Sequence, residues 1–305
     1  MDLRITHETR YDYSPAVETA QHMAYLSPVD SPWQTVLSHH LEISPSPAQL
    51  LHSTDVYGNS RSFFSLQTPH TELRVTACSE LRTRGPRADA PSRIGWEALR
   101  EQFRYHAGAP WHAAAEFSFA SARAPRDEAF AAYARPSFGP GVSALAAARD
   151  LMARIHADFL YESQSTEVHT SPLEALAQRK GVCQDFAHIM LGCLRSMGLA
   201  ARYVSGYLLT QPPPGQPRLV GSDASHAWVS VYLPDLADAG PEPAWYDLDP
   251  TNRRDGWGSP GEDYVMLATG RDYADVSPIR GVIHGGGQHT LSVAVTVEPL
   301  VALNA

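Results

Sequence analysis

Three residue types in this chain, a thiol, an imidazole and a carboxylate, occur where they could act together on a carbonyl. The segment GVCQDFAH puts Cys183 directly after Gly181 and Val182, at the opening of a helix. A free cysteine is usually a small buried hydrophobe. At a helix N-terminus, however, the positive end of the macrodipole favours thiolate, the attacking form. Phe186, Ala187, Met190, Leu191, Leu194 and Met197 follow at helical spacing and predict one apolar, packed face. Further on, SHAWVSVYLP places His226 at the mouth of an apolar strand. Alternation sends His226 and Trp228 to one face and Ala227 and Val229 to the other. One histidine among 14 carries little weight alone. At a strand mouth, though, it can reach a helix N-terminus and take the thiol proton. The third group lies in WYDLDPTN, where Pro250 stops a strand and leaves Asp249 at its end. A carboxylate there can hold the imidazole by its second nitrogen. Asp247 faces the same side, and the period of two does not separate the pair.

The elements that must position these groups can be read from pattern. LRITHETRYDY, TVLSHHLEISP, SRSFFSLQ and TELRVTACSELRT alternate apolar and polar residues, with turn signals between them. They predict a β-rich N-terminal domain over 1–85, a sandwich or antiparallel sheet. Residues 86–142 read as a helical connecting region, opened by GPRADAPSR and carrying WEALREQFRYHAG and DEAFAAYA. Residues 143–270 mix helix and strand and form the expected catalytic core. Ser143 is a good N-cap for a long helix. SPLEALAQRKG reads as a helix ended by Gly181, and the Cys183 helix as one ended by Gly198. LAARYVSGYLL, SHAWVSVYLP and PAWYDLDPTN read as strands. Residues 271–305 form a C-terminal strand region closing on HTLSVAVTVEPL, with Gly285–Gly287 as a flexible turn that lacks the helix and lysine of a phosphate loop.

Bulk properties narrow the classes. At 305 residues with 43% hydrophobic and 19% charged side chains, the chain can bury a real core and is globular. A net charge of −9 without a basic patch argues against nucleic acid or an anionic membrane as partner. Three cysteines make a poor disulfide framework and fit a reducing compartment. The N-terminal segment has no apolar core of a signal peptide, and no apolar run approaches ~20 residues, so a cytoplasmic location is expected.

GVCQDFAH, SHAWVSVYLP and WYDLDPTN, in that order, resemble the transglutaminase-like superfamily, and more narrowly bacterial transglutaminase-like proteins provisionally named cysteine proteases. RITHETRYDYSPAV and DVYGNSRSFFSLQTPHTELRV resemble that subfamily's β-rich N-terminal domain, and RDYADVSPIRGVIHGGGQHTLSVAVTV its C-terminal end. The resemblance implies an α+β fold with a papain-like, transglutaminase-like core. It implies Cys183 as nucleophile, His226 as base and, by the Asp-Pro-Thr context, Asp249 rather than Asp247 as third member. Animal relatives bind calcium, but no EF-hand loop or comparable acidic cluster occurs here, so no cofactor is implied.

The implied chemistry is acyl transfer on a peptide or protein amide, by hydrolysis or transamidation, with hydrolysis favoured because QPPPGQPR reads as a polar surface loop rather than an apolar lid. Trp228 and Trp245 argue the other way, since they could wall a dry tunnel. The backbone N–H of Cys183 is one expected oxyanion donor, with Tyr161 or Gln184 as the second. Asp185 reads as complementing the helix dipole, His188 as buried or supporting, and Cys193 as core. A zinc site built from Cys183, His188 and His226 lacks the expected close ligand pairs, so no metal is expected. The competing reading is a non-catalytic interaction module on the same fold. A protein partner recruited by the N-terminal β domain is a further expectation, which an exposed apolar patch there would favour.

Overall fold

The computed structural model describes residues 1–87, 92–104, 106–108, 110, 112–162, 171–210, 225–239 and 244–300. The opening alternation LRITHETRYDY belongs to one strand more than twice as long, β1 (Asp2–Ser27). It is followed by β2 (Gln34–Ser44), β3 (Gln49–Thr54), β4 (Ser60–Leu66) and β5 (His70–Thr83). Strand β3, which pattern reading did not separate from its turns, is exposed at every position, so it carries no alternation to read. The sheet order is β2-β5-β1-β4-β3.

Helices α1 (Trp96–Phe103), α2 (Glu128–Ala134) and α3 (Ala144–Asp158) come next. The Ser143 side chain accepts from the backbone N–H of Ala146 at 3.2 Å, the cap expected for α3. Two short strands, β6 (Leu160–Tyr161) and β7 (Lys180–Gly181), pair in parallel around α4 (Pro172–Gln178). Helix α4 ends at Arg179 in the left-handed region, with φ 57°, and not at Gly181 as its sequence suggested. Gly181 is already in β7 because its backbone carbonyl accepts from Glu162 at 3.0 Å.

Helix α5 (Cys183–Ser196) lies on an antiparallel sheet of β8 (Ala201–Leu208), β9 (Ser225–Tyr232), β10 (Trp245–Asp249), β11 (Arg254–Trp257) and β12 (Tyr264–Gly270), in the order β11-β10-β9-β8-β12. Phe186, Ile189, Met190 and Leu194 of α5 share one core with Ala227, Val229 and Val231 of β9. Trp96, Phe130, Tyr133 and Phe138 join the same cluster, so the connecting region packs onto the core instead of standing apart. Burying such side chains contributes ~1.5–3 kcal/mol each.

After α6 (Tyr273–Val276) the chain returns to the first sheet as β13 (Ile279–Gly285) and β14 (Gln288–Pro299). Both pair with β1, β14 from Leu3↔Pro299 to Ser14↔Gln288. Gly286, at φ 66°, makes the reversal between them, a conformation that favours glycine. The C-terminal region is thus part of the N-terminal sheet. The two sheets meet through Leu3, Ile5, Leu81, Val295 and Val297 on one side and Tyr207, Leu209, Val265 and Leu267 on the other. Among the described residues, no helix is long and apolar enough to cross a membrane.

Candidate active site

Cys183 is the first residue of α5. Its helix start is held by Asp185, whose Oδ2 accepts from the backbone N–H of Val182 at 2.9 Å. The fit is close: a Cβ on Gly181 would fall 2.7 Å from that oxygen. Asp185 therefore caps the turn that presents the thiol, a more specific role than the dipole complement read from its position.

His226 is the second residue of β9 and 8% exposed. Its Nε2 lies 2.7 Å from Asp249 Oδ2. Cys183 and His226 line one cleft of about 260 Å³. Burial resists charging the imidazole, but the Asp249 carboxylate and the Cys183 sulfur outweigh it and hold the ring well above its ordinary value of 6.5.

Asp249, at the end of β10, is 0% exposed and completely satisfied. Oδ2 also accepts from the Tyr264 hydroxyl at 2.6 Å and Asn252 Nδ2 at 2.8 Å. Oδ1 accepts from the backbone N–H groups of Thr251 at 2.8 Å and Asn252 at 3.3 Å. Burial alone would raise this carboxyl, yet the His226 charge and these donors carry it below its ordinary 3.8. Asp247 points to the same face but sits deeper in β10, where the Ser230 hydroxyl donates to it. Burial pushes it up to about 6, against the pull of Ser230 and Arg202. The two carboxylates that spacing could not separate thus have different partners, and only Asp249 meets the imidazole.

The other singled-out residues are distributed unevenly. Gln184 lines the cleft beside Cys183. Tyr161 is 49% exposed, lies edge-on to Phe186 at 6.3 Å and is outside the described lining of the cleft. Trp228 stacks against His226 at 6.2 Å and meets Tyr264 edge-on at 5.4 Å, bracing the imidazole from one side. Its ring needs Gly206, where a Cβ would come 2.6 Å from Trp228 and 2.1 Å from the Val265 carbonyl. Trp245 packs on Phe117 and Tyr232, away from the cleft. His188 is buried, stacks on Tyr203 at 5.0 Å and accepts from the Tyr273 backbone N–H at 3.2 Å. Burial pushes its ring down to about 3, so it is a neutral acceptor. Cys193 is buried in the core. The segment 211–218 lies outside the described residues.

Two partners of Asp249 were not anticipated. Asn252 was within reach, being part of the same DPTN motif. Tyr264 comes from another strand and has no local signal. A larger cleft of about 590 Å³, bordered by Arg100, Arg104 and Arg195, contains none of these groups.

Residues 3–82 match the bacterial transglutaminase-like N-terminal region, and residues 131–250 match the transglutaminase-like superfamily. Uncharacterized proteins of Mycobacterium tuberculosis and Mycobacterium bovis are 40% identical over 304 residues, covering 97% of this chain and 92% of theirs. A Mycobacterium leprae protein, also uncharacterized, is 34% identical over 98% of this chain and 99% of its own. A crystal structure from Cytophaga hutchinsonii, provisionally named a cysteine protease, superposes with a TM-score of 0.70 at 19% identity, covering 99% of this chain and 91% of that one. The fold is α+β, a papain-like core joined to a β-rich N-terminal region. The chain belongs to the transglutaminase-like superfamily, in its bacterial form with the dedicated N-terminal region.

Proposed function

We propose that this chain is a cysteine-dependent acyl-transfer enzyme acting on peptide-like amides, with Cys183, His226 and Asp249 as its triad. The observation that carries the reading is the imidazole of His226, bonded to a fully satisfied buried carboxylate and facing a helix-terminal thiol across a cleft. His226 takes the thiol proton and the sulfur attacks the carbonyl carbon. The oxyanion is met by the Cys183 backbone N–H, with Gln184 as the second donor. The C–N bond then breaks as His226 returns the proton to the departing amine. Water, deprotonated by His226, attacks the thioester, and the thiol leaves with its proton restored.

Hydrolysis is the favoured outcome. Thr9, Ser205, Ser225 and Ser277 bring hydroxyls to the cleft, which can hold water near a thioester, where a transamidase needs a dry channel. The three described cysteines are unpaired, which fits the proposed reducing, cytoplasmic setting. The test is a glutamine-containing peptide library incubated with and without a labelled primary amine, using wild type and Cys183→Ala. Cleavage or deamidation without label, lost in the variant, supports hydrolysis. Efficient label incorporation, lost in the variant, assigns transamidation. Retention of either activity by Cys183→Ala rejects the nucleophile.

A further inference from the structure

The inward face of β1 changes character along its length. Leu3 and Ile5 pack against Val265 and Leu267 of the catalytic sheet. The next positions of the same row are His7 and Thr9, 1% and 3% exposed. Polar side chains in an apolar row are costly unless partnered, and apolar ones would pack there without that demand. Both residues line the cleft that holds Cys183 and His226. They are fixed there: His7 Nδ1 meets the Tyr207 hydroxyl at 2.9 Å and its Nε2 meets Thr9 Oγ1 at 3.0 Å. Burial holds the His7 ring down to about 4, so it is neutral. Leu291 and Val293 of β14 complete this wall. Among the described residues that line the cleft there is no Asp, Glu, Lys or Arg. Its volume of about 260 Å³ falls below the ~300–1,000 Å³ of small-molecule sites, which suits one side chain rather than a whole ligand.

We propose that the β1–β14 wall is a specificity subsite for a single uncharged side chain next to the carbonyl that Cys183 attacks, an inference that rests on the acyl-transfer reading above. A charged side chain packed against this wall sheds its water, and His7, Thr9, Leu291 and Val293 offer it no opposite charge. An aromatic or amide side chain meets tyrosine rings and the His7–Thr9 pair instead. The substrate class is a peptide with a neutral residue at that position, selected by a sheet outside the catalytic core.

The test uses the full chain and peptidyl acyloxymethyl ketones that differ only in the residue beside the electrophile: Phe, Gln, Lys or Glu. Cys183 labelling is followed by mass spectrometry. Phe and Gln probes are expected to label at least about 100-fold faster than Lys and Glu probes, the scale of an unpaired buried charge. Leu291→Glu, a change at a half-exposed rim position, is expected to speed the Lys probe about fivefold, the scale of a partly exposed ion pair, and to slow the Glu probe. Equal labelling by all four probes, with Cys183 reactive, overturns the subsite and leaves the acyl-transfer reading standing. No labelling of Cys183 by any probe overturns that reading, and the subsite with it.

Discussion

Asp249→Asn removes one charge and almost no volume. The amide oxygen can keep the Thr251 and Asn252 backbone N–H groups that Oδ1 now accepts at 2.8 and 3.3 Å. Its NH₂ then replaces Oδ2 and confronts the donors on His226, Tyr264 and Asn252 at 2.7, 2.6 and 2.8 Å. The ring can relieve its clash only by making Nε2 an acceptor. That moves its proton to the nitrogen left for Cys183, which can then no longer take the thiol proton. Such a tautomer reversal costs about 10⁴-fold in turnover in triad enzymes. Amide turnover and Cys183 alkylation at pH 6 are both expected to fall by about 10³-fold or more. Stability is expected to fall by about 3 kcal/mol, the scale of breaking a buried ion pair. A pH signature accompanies the loss. The raised His226 value contributes stability that is complete below its ordinary 6.5 and fades as pH rises through the folded value. The depressed Asp249 value contributes above its ordinary 3.8 and is lost as pH falls through the folded value. Urea unfolding from pH 3 to 10 measures both, and the alkaline fade should shrink in Asp249→Asn, which removes the Asp249 share of the raised value. A folded variant that alkylates at the wild-type rate refutes the assigned role.

Three further outcomes are expected. Iodoacetamide at pH 6 should modify Cys183 well before exposed Cys78, and buried Cys193 only on unfolding; equal rates for Cys183 and Cys78 by peptide mapping would reject an activated thiol. Asp247→Asn should leave Cys183 alkylation within about threefold of wild type, because Asp247 meets Ser230 and not the imidazole; a 10³-fold loss would transfer the role to it. Gly206→Ala should lower stability by about 2 kcal/mol or more by thermal unfolding, since its Cβ has no room beside Val265 and Trp228; an unchanged midpoint would show that the braced ring is free to move.

The candidate site is legible in the sequence because each of its three groups sits at an element boundary. Cys183 starts a helix, His226 a strand, and Asp249 ends one before Pro250. Boundaries leave local marks such as glycine, proline and a switch of period. The period of two did not separate Asp247 from Asp249, and the choice came from motif resemblance, because two positions on one strand face differ mainly in what lies opposite. Tyr264 was invisible for a similar reason: it reaches Asp249 through tertiary packing. Strands β11 and β12 were missed because RDGW is too short to show a period, and YVMLATG is mostly buried on both faces and reads as neither alternation nor helix. The N-terminal wall did leave a trace. In LRITHET the polar His7 and Thr9 fall in phase with Leu3 and Ile5, an anomaly that pattern reading treated as ordinary alternation.

Strand β14 has a consequence for how this molecule comes into being. Its pairing of Leu3 with Pro299 joins residues separated by nearly the whole described chain, and the catalytic sheet lies between them in sequence. Contacts of such high sequence separation form late, because the loop they close must first be ordered. During synthesis, α5 and β8–β10 can assemble Cys183, His226 and Asp249 while β14 has yet to emerge. The nascent protein would then carry its reactive groups before Leu291 and Val293 have closed one side of their cleft. On the proposed reading, selectivity would be acquired after reactivity, when β14 docks onto β1.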